Sequence, residues 1–249
     1  FEMLGNERYV FTFTMSMTHV LCYWIINGFF MYCDYTGMYS EYKIERLRGQ
    51  IPSRQLVIKT LKAAVLGQIL IEPVGIMLIL YPLMKSMKTS FIFSDELHEM
   101  NLNPLKHPNI VRNVLFKFIF CDIFNSWMFY FAHRLLHHPK LYGPIHKQHH
   151  EYKGTISIAA EYAHPIEGLL ANMIPSIGGI VISRGHPLLF VIWLMWRLQE
   201  TYQGHSGYSF QGSWLHAFGL TKSHRDALYH DFHHSHNQGN YAGPQQDLL

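Results

Sequence analysis

Five long apolar stretches dominate the pattern of hydrophobic and polar positions along the chain. They cover residues 11–33, 63–84, 110–132, 166–183 and 188–202. A helix needs about 20 apolar residues to cross the hydrocarbon of a bilayer, and the first three stretches reach that length. The last two are shorter, and the turn-forming residues 184–187 between them predict a tight hairpin. Because strand-like alternation is weak throughout, the pattern predicts an all-α integral membrane helical bundle with four or five membrane segments.

Two polar loops separate the first three apolar stretches. The loop over residues 34–59 contains five lysines and arginines, whereas the loop over residues 85–109 contains three. Positively charged loops tend to stay on the cytoplasmic side, so this difference predicts that the first loop faces the cytosol. No glycine- and serine-rich linker divides the chain. We interpret residues 1–249 as one membrane-embedded domain, with N-terminal membrane helices and loops over 1–109 and a histidine-rich catalytic region over 110–249.

Composition narrows the class of protein further. Charged residues make up 15% of the 249 residues, below the roughly 25% of a typical soluble domain, which argues against an ordinary cytosolic enzyme. A very apolar soluble bundle is the alternative, but several stretches exceed the roughly 10–14 residues of a buried core helix. The formal charge of +3 is too small for a nucleic-acid-binding protein, and the three cysteines form no CxxC pair for zinc. Histidine is the unusual residue, because 18 histidines outnumber the 17 acidic residues.

Histidines gather in two short segments of the C-terminal half. Residues 133–150 contain six of them, and residues 230–236 contain four. Many recur three or four residues apart, a spacing that places side chains on one face of a helix. Neutral imidazoles are ligands for zinc, copper, iron or nickel, and about four to six of them fill one ion, so eight predict two metal ions. The eight are His133, His137, His146, His149, His150, His230, His233 and His234.

A shared metal site imposes a condition on the topology. The segment 133–150 follows the third apolar stretch, whereas the segment 230–236 follows the last two. Both segments must lie on the same face of the membrane. The chain between them must therefore cross the bilayer an even number of times or not at all, and the predicted hairpin around residues 184–187 meets this condition.

Motifs in the second half carry a family resemblance. HRLLHH at 133–138, HKQHH at 146–150 and HDFHH at 230–234 resemble the histidine motifs of the fatty acid hydroxylase and sterol desaturase superfamily of membrane di-iron oxygenases. Further motifs, EYAHP, RLQET, HSGY and GNYA, occur in the order found in C-4 methylsterol monooxygenases, the branch that the chain resembles most closely. The resemblance covers residues 119–242. The sequence Pro-Gln-Gln at 244–246 departs from the family, which continues there with Trp-Asp and Phe-Gly.

The resemblance implies that these eight histidines bind two iron ions at the cytosolic face of the membrane, or zinc in place of iron. His138 can replace His137, because the doublet leaves the register open, and His164 and His205 lie in motifs where the family also carries histidine. The residues expected to orient imidazole N–H groups are Asp231, Glu161 and Glu200. No catalytic residue is expected beyond the metal ligands. Isolated histidines such as His19 are expected to be structural or solvated.

The resemblance also implies an activity, that of a non-haem di-iron monooxygenase. The expected reaction oxidises an unactivated C–H bond of a lipid, most specifically a 4-methyl group of a sterol, with O₂ and external electrons. Sterol C-5 desaturation, fatty-acyl hydroxylation and other lipid oxidation are alternatives within the class, and a non-catalytic subunit of a membrane complex is the alternative outside it. The chain contains neither GxGxxG nor a haem-attachment motif, so electrons must come from partners. The implied partners are cytochrome b5 and an NAD(P)H reductase, in the endoplasmic reticulum or, alternatively, a mitochondrial or other membrane.

Overall fold

The structure, a computed structural model, describes residues 6–86, 108–210 and 224–242. Helices provide the regular structure of these three ranges. The one β contact within them is an isolated bridge between Lys43 and Tyr208. The prediction of an all-α fold is therefore confirmed.

The first helix, α1 (Glu7–Thr36), has a clear signal at each end. The Asn6 side chain accepts a hydrogen bond from the backbone N–H of Arg8, and so satisfies one of the free donors at the helix start. At the other end Gly37 adopts a left-handed conformation with a φ of 72°, and its N–H donates to the carbonyl of Cys33. Glycine takes this conformation without steric cost, so it ends the helix.

The second long helical stretch contains two π-helical segments, and proline explains where they lie. The stretch consists of α2 (Arg54–Leu66), a π segment (Gly67–Ile71), α3 (Glu72–Gly75), a second π segment (Ile76–Leu80) and α4 (Tyr81–Ser86). Proline has no N–H to donate to the carbonyl four residues before it. Pro73 and Pro82 thus deprive the carbonyls of Ile69 and Leu78 of their α-helical partner, and both carbonyls lie inside a π segment. The π pattern, which pairs residues five apart, carries the helix past each proline without a break.

Six further α-helices occur in the described ranges. They are α5 (Pro108–Leu136), α6 (Pro139–Tyr142), α7 (Pro165–Glu167), α8 (Ile174–Ile182), α9 (Pro187–Gly204) and α10 (His224–His236). Two 3-10 helices, His146–Glu151 and Ser157–Glu161, lie between α6 and α7. A third π segment (Gly168–Met173) joins α7 to α8, and it contains Ala171, four residues before Pro175.

Four helical stretches among the described residues are long and apolar enough to cross a membrane. They are Glu7–Thr36, Arg48–Ser86, Val111–Leu136 and Pro165–Ile182. Large apolar side chains point outward from them, as with Phe13 and Ile25, which are 66% and 67% exposed. Such exposure suits a lipid environment. The fifth predicted segment, 188–202, lies in α9, which is not among these four and which buries Arg197 and Glu200.

Polar contacts at the helix ends show that these stretches run in alternating directions. At one end of the bundle Lys85 lies 3.9 Å from Glu7, which joins the end of α4 to the start of α1. At the other end Thr60, near the start of the second stretch, bonds to Tyr152 at 2.6 Å, close to the histidine-rich segments. At the end of the bundle away from the histidines, Lys117 in the first half of α5 donates a hydrogen bond to the carbonyl of Arg184. The 165–182 and 187–204 helices therefore lead away from the histidines and return, as the topological condition requires.

A pair of glycines brings α5 and α8 into close contact. A Cβ atom added to Gly179 would lie 2.8 Å from the Cα of Cys121, and one added to Gly178 would lie 2.5 Å from a ring carbon of Phe124. Only residues without a side chain fit at this distance. Small residues of this kind allow membrane helices to pack backbone against backbone.

Candidate metal centre

Nine histidines form two adjacent groups at one end of the bundle. In each group, ring nitrogen atoms lie within 4.8 Å of one another. The five-histidine group consists of His133, His137, His146, His150 and His233, and the four-histidine group consists of His149, His205, His230 and His234. Eight of the nine side chains are buried, whereas His137 is half-buried. The two groups adjoin, because the rings of His150 and His234 lie 4.7 Å apart.

The five-histidine group directs its Nε2 atoms at a common point. Four of these atoms form a closed ring with neighbouring distances of 3.0–3.1 Å, and the Nε2 of His150 lies 3.1 Å from that of His146. With metal–nitrogen bonds of about 2.1 Å, right angles at an ion separate neighbouring nitrogens by about 3.0 Å, and tetrahedral angles by about 3.4 Å. The observed spacing fits an ion with five or six ligands.

The four-histidine group is less regular. The Nε2 of His230 lies 2.7 Å from that of His205 and 3.2 Å from that of His234. The Nε2 atoms of His149 and His205 are 3.5 Å apart. All four side chains are buried, and their nitrogens again converge.

Backbone carbonyls fix the protonation of five of these rings. The Nδ1 atoms of the five lie 2.6–3.3 Å from a carbonyl oxygen, in the pairs His133–Tyr241, His149–Tyr162, His205–Thr201, His233–Gly239 and His234–Tyr152. A carbonyl only accepts hydrogen bonds, so the single proton of the neutral ring is on Nδ1 and Nε2 carries a bare lone pair. The Nε2 atoms of His133 and His233 are 3.1 Å apart, and two lone pairs at that distance repel unless a cation lies between them. The donor set therefore fits bound metal ions.

Electrostatics keeps the rings neutral. Burial lowers the pKa of His149 and of His146 to about 4. Burial, with nearby imidazoles adding to it, lowers the pKa of His137, His205 and His233 to about 3. Proton competition for the nitrogen lone pairs is consequently weak near neutral pH, and the neutral imidazole is the form that binds metals.

Each histidine doublet that contributes to the groups is divided between them. His149 belongs to the four-histidine group and His150 to the five-histidine group, and His233 and His234 are divided in the same way. The spacing of the 146–150 segment predicts one shared helical face. The segment is instead a 3-10 helix, and adjacent residues on any helix point in directions roughly 100–120° apart, so they reach different centres.

A match to a known family covers both groups. Residues 118–246 match the model of the family described as fatty acid hydroxylase. The chain belongs to the fatty acid hydroxylase family. The match begins inside α5 and includes all nine histidines, in agreement with the resemblance carried by the motifs.

Relatives in this family include proteins named for sterol oxidation. The chain is 43% identical to methylsterol monooxygenase 1 of Gallus gallus over 122 residues, which are 49% of this chain and 40% of that protein. It is 30% identical to a putative methylsterol monooxygenase of Dictyostelium discoideum over 237 residues, 95% of this chain and 81% of that protein. It is 29% identical to fatty acid hydroxylase domain-containing protein 2 of Homo sapiens over 207 residues, 82% and 58% of the two chains. No solved structure matches.

Two histidines named from the motifs lie outside both groups and cap helices. The Nδ1 atom of His138 accepts a hydrogen bond from the backbone N–H of Lys140, and that of His164 accepts one from Ile166. Both residues precede a proline, which holds their backbone in the extended region typical of a helix cap. The doublet 137–138 therefore contributes His137 to the five-histidine group, and His205 joins the four-histidine group.

Two of the three carboxylates expected to orient imidazole rings have other partners in the structure. Asp231 accepts hydrogen bonds from the backbone N–H and hydroxyl of Thr155, both at 2.8 Å, and from Arg46 at 3.1 Å. Glu161 accepts from His19 at 2.6 Å and from the hydroxyl of Tyr202. Glu200 is buried in α9. Asp231 thus fixes α10 against the α1–α2 loop, and it does so next to His230.

Sequence reasoning missed a carboxylate beside the five-histidine group. An oxygen of Glu167 lies 2.9 Å from the Nδ1 of His146, and the side chain is buried. The signal was present, because Glu167 is the one acidic residue in the apolar stretch 166–183. It also missed the carbonyls of Gly239 and Tyr241, which belong to residues that follow α10.

Proposed function

We propose that the chain is a non-haem di-iron monooxygenase of the membrane. Its proposed reaction oxidises an unactivated C–H bond of a lipid, namely a 4-methyl group of a sterol, with O₂ and external electrons. The observation that carries the proposal is the convergence of nine neutral imidazoles into two adjacent groups next to lipid-exposed helices. Membership of the fatty acid hydroxylase family and similarity to proteins named methylsterol monooxygenase support the same reaction.

Two iron ions would be bound by the five-histidine and four-histidine groups. When bound, they would supply the power to activate O₂ and to oxidise an unreactive C–H bond. Neutral nitrogen ligands leave the positive charge of the ions uncompensated, which favours the arrival of electrons. Burial of eight of the nine ligands excludes bulk water from the centre.

We propose that the lipid reaches this centre from the bilayer and that the electrons arrive from the aqueous side. An open cavity of about 640 Å³ lies between the end of α1, the α1–α2 loop and the start of α2. Its volume is typical of small-molecule sites, roughly 300–1,000 Å³, and its wall combines apolar side chains such as Met31, Val57 and Ile156 with charged ones such as Lys43 and Arg46. Cytochrome b5 with an NAD(P)H reductase is the proposed donor system, and the endoplasmic reticulum is the proposed location.

The test is turnover by the full chain in lipid nanodiscs loaded with ferrous iron. Isotopically labelled O₂, NADPH, the reductase, cytochrome b5 and a 4,4-dimethylsterol are supplied, and products are identified by mass spectrometry. We expect labelled oxygen on a 4-methyl carbon. His149→Ala should lower turnover by more than about tenfold, because it removes a ligand. His236→Ala should leave it unchanged, since His236 is exposed on the same helix as His230.

Other outcomes point to other functions. Labelled oxygen on a fatty acyl chain, or a new sterol double bond, would contradict the 4-methyl substrate and favour another activity of the family. A protein that holds only zinc and consumes no O₂ would contradict the enzyme and favour a non-catalytic subunit of a membrane complex.

A further inference from the structure

A largely shielded polar network lies among the apolar helices beside the four-histidine group. It consists of His19 on α1, Glu72 on α3, Glu161 at the end of a 3-10 helix and Tyr202 on α9. His19 contacts Glu72 through Nδ1 and Glu161 through Nε2, both at 2.6 Å, and the hydroxyl of Tyr202 donates to Glu161. We call this set the His19 network. It joins four separate parts of the chain.

Ionisable side chains are uncommon inside helices that can cross a membrane. His19 lies in the middle of a candidate membrane span, and Glu72 lies in the next one. A charged group among membrane helices is costly, so such residues pair with one another and mark functional positions. The side chains of the network are mostly shielded, with 18% of His19 and 24% of Glu161 exposed.

The His19 network adjoins the backbone groups that orient two metal ligands. Glu161 directly precedes Tyr162, whose carbonyl accepts from the Nδ1 of His149 at 3.3 Å. Tyr202 directly follows Thr201, whose carbonyl accepts from the Nδ1 of His205 at 2.8 Å. One peptide unit therefore connects each arm of the network to a carbonyl that fixes a ring of the four-histidine group.

The five-histidine group has no such connection through its two known carbonyl contacts. His133 and His233 donate to Tyr241 and Gly239, which follow α10 and lie far along the chain from the network. Packing adds rigidity on the other side, because the ring of Tyr23 meets that of Tyr202 edge-on at 5.7 Å. A change in the network should consequently affect the two groups unequally.

We infer that the His19 network is a positioning device that holds His149 and His205 in place for the metal ion of the four-histidine group. Glu161 and Tyr202 fix the two backbone segments, and His19 links them to α1 and to Glu72. The residues act through the ligands rather than on substrate, so they are positioning residues. The inference rests on the proposed two-metal function.

Cobalt(II) binding to the full metal-free chain in detergent tests this inference without turnover. Cobalt gives a visible spectrum that reports ligand geometry, and its titration separates the two groups. His230→Ala identifies the signal of the four-histidine group, and His133→Ala identifies that of the five-histidine group. Tyr202→Phe removes only the hydroxyl, and His19→Leu removes the link to both carboxylates. Each should weaken cobalt at the four-histidine group by about tenfold or more and alter its spectrum.

Two further variants separate positioning from general helix packing. His19→Gln should restore the affinity to within about threefold of the original chain, because its amide can still donate to Glu161. Trp24→Phe is the matched control, since it removes the hydrogen bond from Trp24 to Gln68, another link between α1 and the second helical stretch. It should leave both cobalt signals unchanged.

The outcomes distinguish this inference from the proposed function. The inference alone would be overturned if the wild-type chain binds two cobalt ions and the Tyr202→Phe and His19→Leu variants bind them equally well. Equal weakening at both groups, or the same effect from Trp24→Phe, would also overturn it. An unchanged chain with no cobalt at either group would overturn the proposed function and the inference together.

Discussion

At the scale of single residues, thirteen of the described histidines have one of three roles, and the partner of each ring distinguishes them. Nine rings direct nitrogen atoms at two common points. Three others, His138, His164 and His186, precede proline and accept a backbone N–H at the start of a helix. His19 bridges two carboxylates within the bundle. The same side chain thus belongs to a candidate metal site, caps a helix or bridges two carboxylates according to its neighbours.

The effect of the Glu167 carboxylate on the five-histidine group can be tested with glutamine, which has nearly the same shape and no charge. Glu167→Gln removes the carboxylate that lies 2.9 Å from the Nδ1 of His146. A carboxylate at this position makes the imidazole a better ligand, so metal affinity at the five-histidine group should fall by about 10–100-fold. Competition with a chelator measures the loss.

The control for this prediction is Glu41→Gln. Glu41 is exposed in the short 3-10 helix Ser40–Tyr42 that follows α1, so its change should leave metal binding as it was. Equal losses at both metal groups, or an equal loss in the control, would contradict the assigned role of Glu167.

The membership of the two histidine groups follows from the sequence only in part. Spacing and motif resemblance name all nine histidines of the two groups, but they also name His138 and His164. The proline after each of these two fixes an extended backbone, which turns the ring toward the next helix. Proline is visible in the sequence, so this exclusion could have been made. The division of the nine rings into five and four depends on helix contacts that the sequence does not reveal.

At the scale of helices, proline determines a local change in hydrogen bonding. Each of the three π segments contains a backbone carbonyl that lies four residues before a proline. Because proline has no N–H, that carbonyl cannot accept the usual α-helical hydrogen bond. The apolar pattern predicts the helices correctly, because burial in lipid favours any continuous helix. It does not predict the π segments, because periodicity alone does not distinguish a π turn from an α turn.

Gly179 allows a testable prediction about the contact between α5 and α8. Gly179→Ala places a Cβ 2.8 Å from the backbone of Cys121, which cannot move without displacing its helix. We expect a loss of about 1–3 kcal/mol in the free energy of unfolding, measured in detergent. Gly75→Ala is the matched control, because nothing lies within 4 Å of the added atom, and it should cost nothing. Equal effects of the two substitutions would contradict the proposed contact.

At the scale of the whole molecule, the alternating direction of the helices brings distant histidines together. The hairpin between the two histidine-rich segments follows from the sequence, because the apolar stretches and the turn at 184–187 are plain. The inclusion of α9 as the returning helix is less obvious, since it carries buried Arg197 and Glu200. Arg197 lies over the ring of Phe129, 5.7 Å from its centroid, which gives one of these buried charges a partner inside the bundle.

Thiol labelling tests this arrangement in sealed microsomes. The chain first has its three cysteines replaced, and Lys147→Cys or Arg184→Cys is then introduced. Lys147 is exposed beside the histidines, whereas Arg184 lies at the far turn near Lys117. A reagent that cannot cross membranes should label position 147 directly and position 184 only after detergent is added. Labelling of both positions in sealed vesicles would show that the hairpin does not cross.

The doublets 149–150 and 233–234 limit how far the two histidine groups can move relative to each other. A single peptide unit joins a ring of one group to a ring of the other at 149–150 and again at 233–234. The spacing between the two groups is therefore constrained by the roughly 3.8 Å step between consecutive Cα atoms, which side-chain replacement elsewhere does not change. Inserting one residue inside either doublet would turn one ring away from its centre while leaving composition and hydropathy nearly unchanged.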